Sequence, residues 1–547
     1  MKFRSRNKFI IWSVIVVSMA LLVCNAVFSS KKDEPEQLYK ASVVKSLYKV
    51  FPQNLRQMPL EQSVDISLAK NEYESFQILF YDVKDNLEGI KVNFPEFKDQ
   101  SKGVILNDLS ITVREAGYVP TKKPYYNTEH VGLWPDPLLE ADDFAVKKEE
   151  FLLLWISIYA GPKCPAGDYN GYIEISPKGA LSKKIPVNLH VWDFTLKNGS
   201  NLKTAFDLSK YFVRKFHTRK RGESYLQWEQ RMDDTYHAYC KSMLSYRISP
   251  ILNIEPDSSD FSEHIRQYSN LGITAFGIGP YGGSFGNKWP KEDNKVVSLY
   301  GNYANALRRE GLLDKSYIYT WDEGQIGNPE VKRISKLIHE ADSGLKNMVC
   351  YHGFWDPEKH PGWGDDIDIW CFQIASFDER LRNELDARGK EIWMYISGPG
   401  NVYPNFAMDF PAQSARIIPW LCFKYDFKGL LYWAVNFWNV NPYKDAMNTD
   451  WQQNGNGVLF YPGIDGPVAS LRLELIRDGM EDYEYLFLLK SLYESKKNSI
   501  SDTGLKNEIE NILSLKGFIS SLKKYETDPD KLLNMREKIA QMIVHLL

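Results

Sequence analysis

From residue 204 to residue 435 the chain repeats one unit, a short apolar run followed by a stretch of helical period. The apolar runs are TAFDLS (204–209), ISPILNI (248–254), ITAFGIG (273–279), YIYTWDE (317–323), NMVCYHG (347–353), IDIWCFQ (367–373), EIWMYIS (391–397) and GLLYWAV (429–435). Segments such as ESYLQWEQRMDDTYHAYCKSML, NYANALRREGLL, PEVKRISKLIHEA and DERLRNELDARG lie between them, and only FWDPEKHPGWGDD reads as a loop. Eight such alternations over roughly 230 residues have the count and length of a (β/α)8 barrel of TIM type. The alternative is an open doubly wound sheet. It usually has fewer strands and a phosphate-binding glycine turn after the first one, whereas the glycine-rich GIGPYGGSFG follows the third.

At 547 residues the chain exceeds what one hydrophobic core supports, so further domains are expected. Residues 40–200 read as β: VDISLAKNEYESFQILFYDV, FLLLWISIYA, GDYNGYIEISP and KKIPVNLHVWDF are separated by turn-forming clusters such as GPKCPAGDYNG. That rhythm suggests an antiparallel β-sandwich. From Pro467 onward the chain reads as helices. The expected organisation is an export signal over 1–30, a sandwich over 31–200, a catalytic barrel over 201–490 and C-terminal helices over 491–547.

The N-terminus has the order of an export signal: basic MKFRSRNK, apolar FIIWSVIVVSMALLVC, polar NAVFSSKKDEPEQ. Leu21-Leu22-Val23-Cys24 resembles a bacterial lipobox except at Val23. The expected location is the periplasm or cell surface, as a lipoprotein anchored through Cys24. Cleavage just after the apolar run and an uncleaved anchor are the alternatives. Cys164, Cys240, Cys350, Cys371 and Cys422 have no C-x-x-C spacing, which argues against a disulfide framework or a zinc site. Cys350, Cys371 and Cys422 sit in apolar runs and read as small buried hydrophobes. A net charge of −3 offers no field for nucleic acid, and no metal or cofactor is expected.

Active groups of such a barrel belong at the carboxyl ends of its strands. These ends carry Asp207, Asn253, the adjacent pair Asp322 and Glu323, His352 with Trp355 and Asp356 just beyond, Gln373, Tyr395, Trp433, Asn436 and Trp438. Aromatic rings and amides around acids have the composition of a sugar site. An ordinary retaining glycosidase needs a second carboxylate as nucleophile, roughly 5–5.5 Å from the acid. EIWMYISGPG has its only acid, Glu391, at the wrong end. That favours substrate assistance, in which the sugar's 2-acetamido oxygen is the nucleophile. Glu323 is then the general acid and later base, and Asp322 orients the acetamide. Mutual repulsion and partial burial should raise one of the two pKa values, and Glu323 is the one that must keep its proton. Tyr395 is a candidate donor to the acetamide carbonyl. His352, Trp355, Gln373, Trp433, Asn436, Trp438 and Asp207 are candidate substrate contacts. The bland alternative for Asp322-Glu323 is a solvated cap of the helix that opens at Asn328-Pro329.

NEYESFQ (71–77), WPDPL (134–138), TWDE (320–323), NGVLFYPG (456–463) and above all ASLRLELIRDGMEDYEYL (469–486) make the chain resemble glycoside hydrolase family 123. The resemblance implies a sandwich followed by a barrel, an adjacent Asp-Glu pair acting by substrate assistance, carried over to Asp322 and Glu323, and terminal β-linked GalNAc as substrate. The acidic segment at its end reads as a salt-bridged clamp with Arg477 pairing to Glu481 one turn on, although Arg472 could reach the bowl. Two other functions stay open: a glycosidase on another sugar with Asp207 or Asp356 as nucleophile, and a surface glycan-binding protein without turnover.

Overall fold

The computed structural model describes residues 37–99, 103, 105–256, 261–280, 289–324, 326–351, 358–398 and 402–547. The export segment, His352, Trp355 and Asp356 lie outside the described residues. Among those described, no helix is long and apolar enough to cross a membrane.

The N-terminal part is two five-stranded sheets. One runs β1 (Lys40–Lys45), β3 (Glu72–Tyr81), β8 (Leu152–Ala160), β5 (Leu109–Pro120), β6 (Leu133–Leu139); the other runs β2 (Val64–Lys70), β10 (Lys183–Thr195), β9 (Gly167–Lys178), β4 (Leu87–Asn93), β7 (Phe144–Val146). The pairings are antiparallel except β2 with β10, which run side by side in the same direction. Strand β8 explains its own sequence. Leu152, Leu154, Ile156 and Ile158 fill the core between the sheets, while Leu153 and Trp155 face the rest of the molecule. A strand buried on both faces reads as a near-continuous apolar run, and FLLLWISIYA is one, interrupted only at Ser157.

The second part is a barrel of eight parallel strands: β11 (Lys203–Asp207), β12 (Pro250–Ile251), β13 (Phe276–Gly277), β14 (Ser316–Asp322), β15 (Asn347–Tyr351), β16 (Ile369–Gln373), β17 (Glu391–Ile396) and β18 (Gly429–Tyr432). The sheet closes through a single bridge between Ile254 and Ile278 beyond the short strands β12 and β13. β12 stops short of the end of its apolar run, and just past it Asn253 takes a left-handed φ of +45°. Inward residues Ala205, Ile251, Tyr317, Tyr319, Met348, Cys350, Cys371, Trp393, Tyr395 and Leu431 pack the interior. Gly429 makes room there, since a Cβ at that position would sit 2.1 Å from the Trp393 ring. The five described cysteines are unpaired and buried, as their apolar settings imply.

Helices follow most of the barrel strands, with none described between β15 and β16, and helices also close the chain, as Leu471–Lys496, Thr503–Ser514 and Pro529–Leu546. The long helix Leu471–Lys496 is wedged between barrel and sandwich, with Arg472, Glu474, Arg477, Asp478, Glu481, Asp482 and Glu484 all buried. Its partners come from both sides. Arg472 grips Asp136 of β6 through two bonds of 2.8 and 2.7 Å. Glu474 takes Arg114 of β5 at 2.7 Å and the Tyr246 hydroxyl at 2.6 Å. Asp482 holds Arg416, which also meets Glu74 of β3. Burial pushes the Glu474 carboxyl up, but Arg114 and Arg477 outweigh it and hold it well below the usual carboxylate range. The clamp expected from the sequence is therefore present with different pairs. Arg477 bonds Glu474 rather than Glu481, and Glu481 is taken by Arg247 at 3.0 Å.

Removing one partner of a buried ion pair leaves the other desolvated and costs about 3–5 kcal/mol. Asp136→Ala should lower unfolding stability by that amount and separate the sandwich and barrel transitions in urea, as followed by circular dichroism. A single transition shifted by less than about 1 kcal/mol would show that the clamp does not couple the two parts.

Candidate active site

Strand β14 does not alternate cleanly. Its pairing with β15 slips between Tyr319, opposite Met348, and Asp322, opposite Cys350. The extra residue, Thr320, turns its hydroxyl back onto the Ile318 carbonyl. Met348 and Cys350 both face the barrel interior, so the bulge brings Asp322 rather than Trp321 inward. Trp321 packs instead against the core outside the barrel.

Glu323 would point away if the strand continued. Its φ of +50° ends the strand in a left-handed residue, and its N–H donates to the Cys350 carbonyl at 3.1 Å. Such a conformation costs a non-glycine residue about 1–2 kcal/mol. Gly324 is required next, because a Cβ there would lie 0.8 Å from the Trp321 indole nitrogen. Each carboxylate then receives a tyrosine. Tyr319 donates to Asp322 Oδ1 at 2.9 Å, and Tyr395, arriving from β17, donates to Glu323 Oε1. Burial, then the charges of its neighbours, Glu323 among them, push the Tyr395 phenol far up, so it keeps its proton. The helix cap is a separate feature. Asn328 takes the Glu330 N–H at 2.8 Å and Pro329 opens the helix, so neither acid serves as its cap.

Asp207 ends β11 on the inward face. Burial, then the charge of Asp322, push its carboxyl up to about 7. It is thus about half protonated near pH 7 and largely protonated below it. Among the described residues at the upper ends of β16, β17 and β18 there is no carboxylate. Gln373 ends β16 and donates to the Ser397 carbonyl at 2.8 Å, which joins the tops of β16 and β17. Trp433 is half-buried just past β18, with its indole N–H on Asn456 Oδ1 at 2.9 Å.

Two expected site residues, and Arg472 of the clamp, lie elsewhere. Asn436 is fully buried and uses its amide on the backbone of Ser209, accepting at 2.9 Å and donating at 3.0 Å. It staples β18 to β11 rather than meeting a sugar. Trp438 is also fully buried. It packs against Phe216 and Tyr239 and donates to the Phe460 carbonyl at 2.8 Å, which makes it core. Arg472 is committed to Asp136 and to backbone carbonyls, so it does not enter the bowl. Tyr319 was not anticipated, although period-two alternation from Tyr317 places it inside. Among the described residues no His, Cys, Asp and Glu cluster is placed to hold a metal.

Residues 288–489 match the family model described as glycoside hydrolase 123, catalytic domain. This catalytic segment belongs to glycoside hydrolase family 123. The matched segment is that of a glycoside hydrolase catalytic domain, a class of domain that acts on glycans. The matched span contains Asp322, Glu323, Tyr395 and Trp433 but not the sandwich or Asp207. A solved family 123 glycoside hydrolase from Clostridium perfringens, described for glycolipid glycan hydrolysis, shares the fold. It aligns with a TM-score of 0.68 at 15% identity over 93% of this chain and 97% of that one. A family 39 glycoside hydrolase from Bacteroides cellulosilyticus aligns at 11% identity over 69% of this chain and 79% of that one, and its TM-score of 0.34 is too low to support any inference. No curated protein matches the chain.

Gly324→Ala should force the Asp322-Glu323 turn open and reduce turnover about a hundredfold, since displacements near 1 Å cost that much, with the fold retained by circular dichroism. Asp207 gives a prediction in pH. Its folded pKa lies above the unfolded carboxylate value, so its stabilising contribution is complete below about 4 and is lost as pH rises through about 7. Relative to Asp207→Asn, the wild type should lose urea stability across that window, and parallel curves would contradict the burial assigned to Asp207.

Proposed function

We propose that the protein is a retaining exo-β-N-acetylgalactosaminidase in which the substrate's 2-acetamido group is the nucleophile. The observation that carries this reading is the placement of the acids. Asp322 and Glu323 reach the bowl from one strand end, each held by a tyrosine, and no described carboxylate faces them from the tops of β16 to β18. Of the two alternative nucleophiles, Asp356 lies outside the described residues, and Asp207 carries a proton through much of the range in which a nucleophile must be ionised.

In the first step Glu323 gives its proton to the glycosidic oxygen while the acetamido carbonyl oxygen attacks the anomeric carbon. The bond to the leaving group breaks and an oxazolinium ion forms. Asp322 accepts the acetamido N–H and stabilises the developing positive charge. Tyr395 donates to Glu323 in the free protein, and in the complex it donates to the acetamide carbonyl. In the second step Glu323 takes a proton from water, the water oxygen bonds to the anomeric carbon, and the oxazoline ring opens with configuration retained. Preference for GalNAc rests on the resemblance to family 123. Export as a lipoprotein through Cys24 rests on the order of the N-terminal residues, and loss of membrane association in Cys24→Ala tests it.

General acid catalysis contributes about 10²–10⁴-fold. Glu323→Gln should lose that factor on alkyl glycosides and much less on aryl glycosides, whose leaving groups need little protonation. Aryl β-GalNAc should be hydrolysed and the matching β-galactoside should not. Comparable rates on the two would overturn the acetamido role.

A further inference from the structure

The loop between β5 and β6, residues 121–132, belongs to the sandwich yet lies on the catalytic face of the barrel. Lys122 exchanges hydrogen bonds with Asn454. Tyr126 donates to Asp409 at 2.6 Å and packs on Phe410. Tyr125 is held most tightly. Its hydroxyl donates to the Gly398 carbonyl at 2.6 Å and accepts from Gln453 at 2.8 Å, while its N–H reaches the Gln452 carbonyl at 3.4 Å. Gly398 lies just past β17 and Gln453 in the long segment after β18, so these anchors are on the rim of the bowl.

From Tyr125 a chain of amides leads inward. Gln453 accepts from Asn456, and Asn456 Oδ1 accepts from the Trp433 indole. The Trp433 ring meets Trp451 at 5.1 Å and 62°. Most aromatic rings of this protein are buried, but Tyr125 and Trp451 are each 52% exposed. The Tyr125 hydroxyl is fully engaged, so the ring is rigid while much of its surface stays open. Rigid open rings beside a glycan-cleaving centre are suited to the apolar C–H faces of a pyranose, and they lose little entropy on binding.

We propose that Trp433, Trp451 and Tyr125 form the subsite for the leaving-group sugar, the hexose to which the terminal residue is linked, with one wall supplied by the sandwich. This rests on the glycosidase reading above. Tyr395 bonds Glu323, Trp433 lies just past the neighbouring strand β18, and the contacts of Trp433 lead on to Trp451 directly and to Tyr125 through Asn456 and Gln453. The sandwich is thereby part of substrate recognition.

The test compares Trp451→Ala and Tyr125→Ala with wild type on methyl β-GalNAc, octyl β-GalNAc and a disaccharide of GalNAc β-linked to a hexose. The expected result is a KM for the disaccharide raised about tenfold, kcat within about twofold, and much smaller shifts on the methyl glycoside. Tyr125→Phe, which keeps the ring and cuts its tether, should give an intermediate shift. Equal shifts on the methyl glycoside and the disaccharide, or none, would overturn the subsite, and an equal shift on the octyl glycoside would overturn a sugar occupant. If wild type hydrolyses none of these, the hydrolase reading fails separately. The subsite is then decided by indole fluorescence on titration with the disaccharide. A saturable change that is lost in Trp451→Phe supports it, and no change overturns it.

Discussion

The charged side chains from Arg472 to Glu484 on the helix Leu471–Lys496 have no water to face, and the placement of everything above the barrel follows from how they are paired. A carboxylate or guanidinium taken out of water costs several kcal/mol even after relaxation, and only complete pairing offsets it. Arg472 meets that demand with Asp136 from the sandwich and with the carbonyls of Phe406, Gly455 and Val458 from the barrel's upper loops. Gly455 and Val458 flank Asn456, the partner of Trp433. Arg472 therefore never enters the bowl, yet it fixes the segment that carries the bowl's aromatic wall. The same pairing holds the first sheet of the sandwich against the barrel, which brings the 121–132 loop to the rim.

The acids depend on a second constraint, local to the backbone. Two neighbouring residues of a regular strand cannot serve one substrate, because their side chains leave opposite faces. A bulge at Thr320 and a left-handed Glu323 remove that obstacle within four residues, and Gly324 makes the turn sterically possible. Strain of this kind persists only where surrounding contacts enforce it. Here Tyr319, Tyr395 and the Cys350 carbonyl do so.

These two devices mark the limit of what the sequence discloses. The barrel was legible because its strands recur as apolar runs between helical periods, and the Asp322-Glu323 pair was legible because it stands where such a strand stops. Asn436 and Trp438 were misplaced for a definite reason. Proximity to a strand end gives height in the barrel but not the direction of the side chain, and past Tyr432 the regular strand has ended, so alternation no longer predicts it. Spacing one turn apart suggested Arg477 with Glu481, whereas burial against the sandwich brought Arg247 to Glu481 instead. Tyr125 and Trp451 were not singled out, because their position arises from contact between segments more than 300 residues apart in the chain.

The sugar's own amide is the element on which the chemistry turns, and its nucleophilicity can be varied without touching the protein. Turnover of aryl glycosides bearing N-acetyl, N-fluoroacetyl, N-difluoroacetyl and N-trifluoroacetyl groups measures its participation directly, since each fluorine withdraws electron density from the attacking carbonyl oxygen. The account predicts a steep, graded fall in kcat across the series. A flat series would mean that another group attacks the anomeric carbon, and would contradict it.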